Sequence, residues 1–145
     1  SGKIGTLGHG YTYMGHPVAA AVALETLNIY EERDIMGHIN AIAPVMQKRL
    51  QSYADHPLVG EVRGVSLVGA VELVKDKATK EMFDPAGKVG AYLVDRAKDH
   101  GLILRNIADA IAFSPPLIIS AKEMESVFDR FDKALEETAT FAAGL

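Results

Sequence analysis

Apolar residues return at three- and four-residue intervals through Ile35, Ile39, Ile42, Met46, Leu50 and Tyr53, a spacing that keeps them on one side of a helix. The pattern predicts a helix over 35–54 with Asp34 as its cap. Pro44 lies inside it and is expected to kink or split it, because proline cannot donate to the preceding turn. From Val59 the period shortens to two, and 59–74 reads as two antiparallel strands joined tightly near Gly64 to Ser66, the second the more buried. Residues 75–87 are charged, contain Pro85 and lack a period, which predicts a loop. Val89, Tyr92, Leu93 and Ala97 mark the inner side of a helix over 88–100, with Gly101 as its left-handed terminator. Leu102-Ile103-Leu104 predicts a short strand delivering Arg105, with Ala110-Ile111-Ala112-Phe113 as its partner.

The final helix carries the strongest start signal. Ser120 and Glu123 have the spacing of a capping box, Ile119 and Met124 that of a hydrophobic staple, and Met124, Val127, Phe128, Phe131 and Leu135 form an inner face. The first helix, from Pro17 to about Glu31, differs, being apolar on nearly every side at its start. Such helices are normally buried, so something outside the chain is expected to cover part of it. The order α-α-β-β-α-β-β-α predicts an α+β fold in which helices cover a small antiparallel sheet.

Composition narrows the choice of chemistry. A chain of 145 residues, 48% of them hydrophobic, is large enough for one domain with a core. A net charge of −4 without a basic block argues against nucleic acid as a partner. The lack of cysteine excludes disulfides and thiolate metal sites and fits a cytoplasmic protein. No apolar run is long enough for a membrane-spanning helix, and Ser1-Gly2-Lys3-Ile4 does not open a secretory signal. The first residue is not methionine, and the N-terminal side is expected to have been removed.

Candidate chemistry gathers in Gly8-His9-Gly10-Tyr11-Thr12-Tyr13-Met14-Gly15-His16-Pro17. A glycine-rich loop running into a helix start offers backbone N–H groups and the positive end of the helix dipole to an anion, most often a phosphate. Thr12 adds a hydroxyl; the same residues also suit an ordered loop with packed tyrosines and a threonine bonded to its own backbone. Arg105, following three aliphatic residues, can hold a carboxylate with two parallel hydrogen bonds or pair with Asp109 or Glu72 at the surface. The five histidines have no metal-ligand spacing, with His16 placed to cap or pack at the helix start. No Gly-x-Ser-x-Gly elbow occurs, and Tyr13 stands where a dinucleotide fingerprint needs its third glycine.

The loop resembles the His-Gly-aromatic-Thr-Tyr-small-Gly-His-Pro signature of the class III, omega-amino acid type, aminotransferases, which depend on pyridoxal 5′-phosphate (PLP). The likeness continues through Ala54-Asp55-His56-Pro57-Leu58-Val59-Gly60-Glu61-Val62-Arg63-Gly64, Glu72-Leu73-Val74-Lys75-Asp76-Lys77 and His100-Gly101-Leu102-Ile103-Leu104-Arg105.

The resemblance implies a division at residue 32. Residues 1–32 would be a cofactor-phosphate loop and connecting helix of a large domain, and 33–145 the small C-terminal α+β domain of a PLP fold type I enzyme. It implies that Thr12, with Tyr11, binds the PLP phosphate for the neighbouring subunit of a dimer. It further implies that Arg105, with Tyr13, meets the substrate, the guanidinium holding a carboxylate and swinging aside for an uncharged group. The family's cofactor-bearing lysine, its acidic partner of the pyridine nitrogen and its ring-stacking aromatic all precede this stretch, so no catalytic residue is expected here. The lysines present, such as Lys75, Lys77, Lys80 and Lys88, stand mostly in polar surroundings.

The expectation is therefore the C-terminal portion of a transaminase moving an amino group from an omega-amino acid or amine to a keto acid such as pyruvate, inactive alone. It would require a homodimer partner and the missing N-terminal domain. The alternative expectation is a stand-alone, non-catalytic dimerisation or binding domain of the same ancestry.

Overall fold

The computed structural model describes residues 2, 3, 5 and 8–145. Ile4 and Leu7, the only packing residues of the entry segment, lie outside them. The chain forms two compact units, Ser1–Ile35 and Met36–Leu145.

The first unit consists of the glycine-rich loop and helix α1, Pro17–Glu32. Pro17 opens the helix, where its missing N–H leaves no hydrogen bond unmade. His16 caps it as expected, its Nδ1 accepting from the Ala19 N–H at 3.3 Å. No residue of α1 is buried, and Val18, Val22, Leu24 and Leu27 are all exposed.

The second unit takes in all but the first residue of helix α2, Ile35–Gln51, followed by a 3-10 turn, Ser52–Asp55. Pro44 does not split α2. Pro44 and Asn40, the carbonyl that loses its donor, are both exposed, so the lost hydrogen bond falls where water can replace it. Of the apolar stripe, Ile35, Ile39, Met46, Leu50 and Tyr53 are buried and Ile42 is half-buried.

Strands β1, Val59–Val65, and β2, Val68–Leu73, form the expected antiparallel hairpin, turning through Ser66 at φ 52. Helix α3, Lys88–Asp99, ends at His100 with Gly101 at φ 76, as its sequence predicts. Strands β3, Arg105–Ile107, and β4, Ala110–Phe113, complete a four-stranded sheet in the order β1-β2-β4-β3, antiparallel throughout. The predicted strand Leu102 to Leu104 is not one: Arg105 starts β3 instead of following it. The register places Arg105 opposite Ala112, so continuing the ladder would set Leu102 against Pro115, which has no N–H to donate.

One sheet face carries the helices. A Cβ on Gly69 would lie 2.3 Å from Leu50 Cδ1, so α2 packs directly on β2. Helix α4, Ala121–Ala142, starts with the capping box of Ser120 and Glu123 and buries Met124, Phe128, Phe131 and Leu135, with Val127 half-buried. Phe113 of β4 stacks on Phe128 at 5.6 Å and meets Phe131 edge-on at 5.0 Å. Arg49 of α2 reaches Asp132 of α4 at 2.9 Å and Glu125 at 3.3 Å, and the Tyr53 hydroxyl donates to the same Asp132. Burial and this bond to a carboxylate push the Tyr53 phenol far up, so it stays protonated. The helices over a small antiparallel sheet make the α+β class expected from the element order.

Candidate functional site

The expected site residues fall in both units. In the first, the loop before α1 folds as two successive turns: the Met14 N–H donates to Tyr11 O at 3.0 Å and the His16 N–H to Tyr13 O at 3.2 Å. Gly15, at φ 76, turns the chain toward the helix. Thr12 is exposed at the turn, and among the described residues none accepts from its hydroxyl or from the N–H groups of Tyr11, Thr12 and Tyr13. The threonine bonded to its own loop is therefore not what forms.

A Cβ on Gly8 would meet nothing within 4 Å and one on Gly10 only the Met14 tip at 3.7 Å, so the loop backbone is open to approach. Unspent donors, an open backbone and a following helix N-terminus fit a phosphate. Tyr11 and Tyr13 are 70% and 81% exposed, with His9 edge-on to Tyr11 at 4.8 Å, so neither tyrosine packs in a core of this chain.

In the second unit, Arg105 lies on the edge strand β3. Its register partner is Ala112, opposite Ala70 of β2, which in turn faces Arg63 of β1. Paired residues share a face, so Arg105 and Arg63 stand at the two rims of the face away from the helices, with alanines between them. Neither alternative partner of Arg105 is available to it. Glu72 is bonded to Arg63, which lies 3.6 Å from Glu61, and Asp109 is turned inward, its oxygens each 2.7 Å from a backbone N–H of Gly87 or Gly90. The carboxylate bond raises the Arg63 guanidinium above its usual range, whereas Arg105 makes no ion pair among the described residues. Arg105 also borders a largely apolar cavity of about 600 Å³ walled by Met46, Leu102, Phe113, Pro115 and Met124. An exposed, unpaired guanidinium beside apolar walls can receive a carboxylate whose remainder is hydrophobic.

Comparison with known proteins identifies the family. Residues 2–135 match the model of the class-III aminotransferases. The chain belongs to that family. It is 43% identical over 138 residues to gamma aminobutyrate transaminase 3, chloroplastic, of Solanum lycopersicum, covering 95% of this chain and 26% of that protein. It is 48% identical over 132 residues to putrescine–pyruvate aminotransferase of Pseudomonas aeruginosa, covering 90% of this chain and 29% of that one.

Among solved structures, an omega transaminase of Pseudomonas jessenii, in complex with PMP, superposes with a TM-score of 0.87 at 45% identity, over 96% of this chain and 31% of the other. The chain therefore spans about a third or less of the class III aminotransferases it matches. Enzymes of this class depend on PLP. The relatives include chloroplastic and mitochondrial forms, so membership alone assigns no compartment, and no helix among the described residues is long and apolar enough to cross a membrane.

Two of the lysines expected in polar surroundings are engaged at the surface: Lys75 pairs with Glu81 at 3.3 Å, and Lys77 donates to the carbonyls of Ala54 and His56. Asp109, expected at most as a surface partner of Arg105, is instead buried against the start of α3. Its neighbours Gly87 and Gly90 lie far back along the chain, and the only local signal was an acid in a tight turn.

Proposed function

We propose that the chain is the C-terminal portion of a PLP-dependent transaminase that moves an amino group from an omega-amino acid or amine to a keto acid such as pyruvate. The observation that carries this reading is the match to the family model over residues 2–135, with relatives named for gamma-aminobutyrate and for putrescine and pyruvate. Residues 1–32 belong to the larger cofactor domain and 33–145 to the small domain.

Thr12, with the loop N–H groups and Tyr11, binds the PLP phosphate of the neighbouring subunit in a homodimer; the unspent donors of this loop support that role. Arg105 fixes the substrate carboxylate, Tyr13 flanks the same substrate, and the lack of an ion pair leaves the guanidinium free to move aside for an uncharged donor. When bound, PLP would supply the electron sink that lets a hydrogen on the donor's amine-bearing carbon leave as a proton. This chain's contribution is to hold, orient and select. The lysine that carries the cofactor is contributed by the missing N-terminal domain, so the 145-residue chain has no turnover by itself.

Alanine formation from pyruvate tests both layers, with gamma-aminobutyrate or putrescine as donor and PLP present. The complete protein is expected to form alanine and the 145-residue chain none. Alanine from the short chain, with a PLP absorption band discharged by the donor, overturns the division of labour. A complete protein inert toward omega-amino acids and amines overturns the transaminase reading.

A further inference from the structure

We infer that Asp109 is a positioning residue for Arg105, holding the β3–β4 hairpin on the start of α3 so that the strand from which the guanidinium reaches and swings is fixed on the sheet. The inference rests on the carboxylate-binding role proposed for Arg105. Asp109 is 0% exposed, and no other acidic side chain among the described residues is buried. A buried carboxylate is costly unless its oxygens are met by donors. Here one oxygen accepts from the Gly87 N–H and the other from the Gly90 N–H, each at 2.7 Å.

Gly87 is the N-cap position of α3, at φ 85, and has no capping side chain of its own. Asp109 therefore caps α3 from across the fold, with its negative charge at the positive end of the helix dipole. Its main chain is fixed as well, the Asp109 carbonyl accepting from the Leu73 N–H at 3.0 Å and so extending the ladder beside β2.

The turn seated there is tight and strained. Ala108 is held at φ 51, a region costly for a residue with a Cβ, and its carbonyl accepts from Asn106 Nδ2 at 3.0 Å. A Cβ on Gly90 would lie 2.4 Å from the Ala108 oxygen, so the hairpin tip fills a notch that only glycine leaves open. From this anchor the hairpin runs through three pairs, Ile107 with Ala110, Asn106 with Ile111 and Arg105 with Ala112. β3 is an edge strand, paired with β4 alone. Releasing the tip frees the strand that carries Arg105, while the helix-facing core residues Phe113 and Phe128 stay in place.

The test uses the complete PLP-loaded enzyme with Asp109→Asn, which keeps the shape of the side chain but sets an NH2 group against one of the two N–H donors. Steady-state kinetics are measured separately for the keto acid and for a carboxylate-free amine donor. Asp109→Asn is expected to raise the KM of the keto acid about tenfold, with the KM of the amine within about twofold, as for a displaced binding group. A purely structural role would reduce the active fraction for both substrates alike and leave the two KM values unchanged.

Gly87→Ala is the second variant if Asp109→Asn does not fold, since a Cβ at φ 85 strains the N-cap residue whose N–H donates to Asp109, while the added atom itself clashes with nothing; it is expected to show the same split in smaller measure. Equal effects on both substrates, or none, overturn the inference. Arg105→Ala is the control that separates the two readings. If it leaves the keto-acid KM unchanged, the carboxylate role itself falls; if it raises that KM while Asp109→Asn and Gly87→Ala do not, only the positioning role falls.

Discussion

Helices α1 and α4 are built from opposite relations between a sequence and its surroundings. α4 alternates a charged side with an apolar one, and the apolar side is met within the chain by Phe113, Tyr53 and the other core residues around it. α1 is apolar on most sides, yet none of its residues is buried. The lesson is that apolarity becomes stability only where a matching surface exists. In α4 the hydrophobic term is realised inside these residues, whereas under the proposed function that of α1 is realised only in the assembled enzyme.

The contrast can be broken at three points by chemical denaturation of the 145-residue chain. Phe128→Ala, at the fully buried centre of α4, is expected to cost about 3–5 kcal/mol, the range for emptying a large core side chain. A loss below about 1 kcal/mol would mean that the core is not closed around α4. Ser120→Ala removes the acceptor of the Glu123 N–H and the partner of the Glu123 carboxylate, and should cost about 0.5–2 kcal/mol. Leu24→Ala on α1 should change stability by less than about 0.5 kcal/mol, because that side chain is 64% exposed. A larger loss there would erase the distinction between the two helices.

Much of the fold was legible because its signals are local. The capping box of Ser120 and Glu123, the left-handed Gly101 and the period-two run from Val59 each lie within a few residues of the structure they specify. What depended on remote or solvent partners was less legible. Leu102 to Leu104 have strand composition, but Leu102 would oppose a proline, and Pro44 leaves α2 unsplit because the hydrogen bond it removes lies where water can take its place. The candidate site divides in the same way. Thr12 and Arg105 were picked out by residue type and by family likeness, but that Arg105 has no ion pair among the described residues depends on Glu72 and Asp109 being taken elsewhere, by Arg63 on another strand and by α3. Asp109 meets its donors 19 and 22 residues away, a separation that no local pattern encodes.

The two rims of the sheet carry a consequence for how the protein behaves at high concentration. β3 has only three residues, and β1 breaks register between Val59 and Glu61 and carries Glu61 and Arg63 along its length. Short, irregular or charged borders are poor templates for a strand from another molecule. Growth of the sheet by stacking copies rim to rim, the usual route to fibrous aggregates, is therefore blocked on both sides.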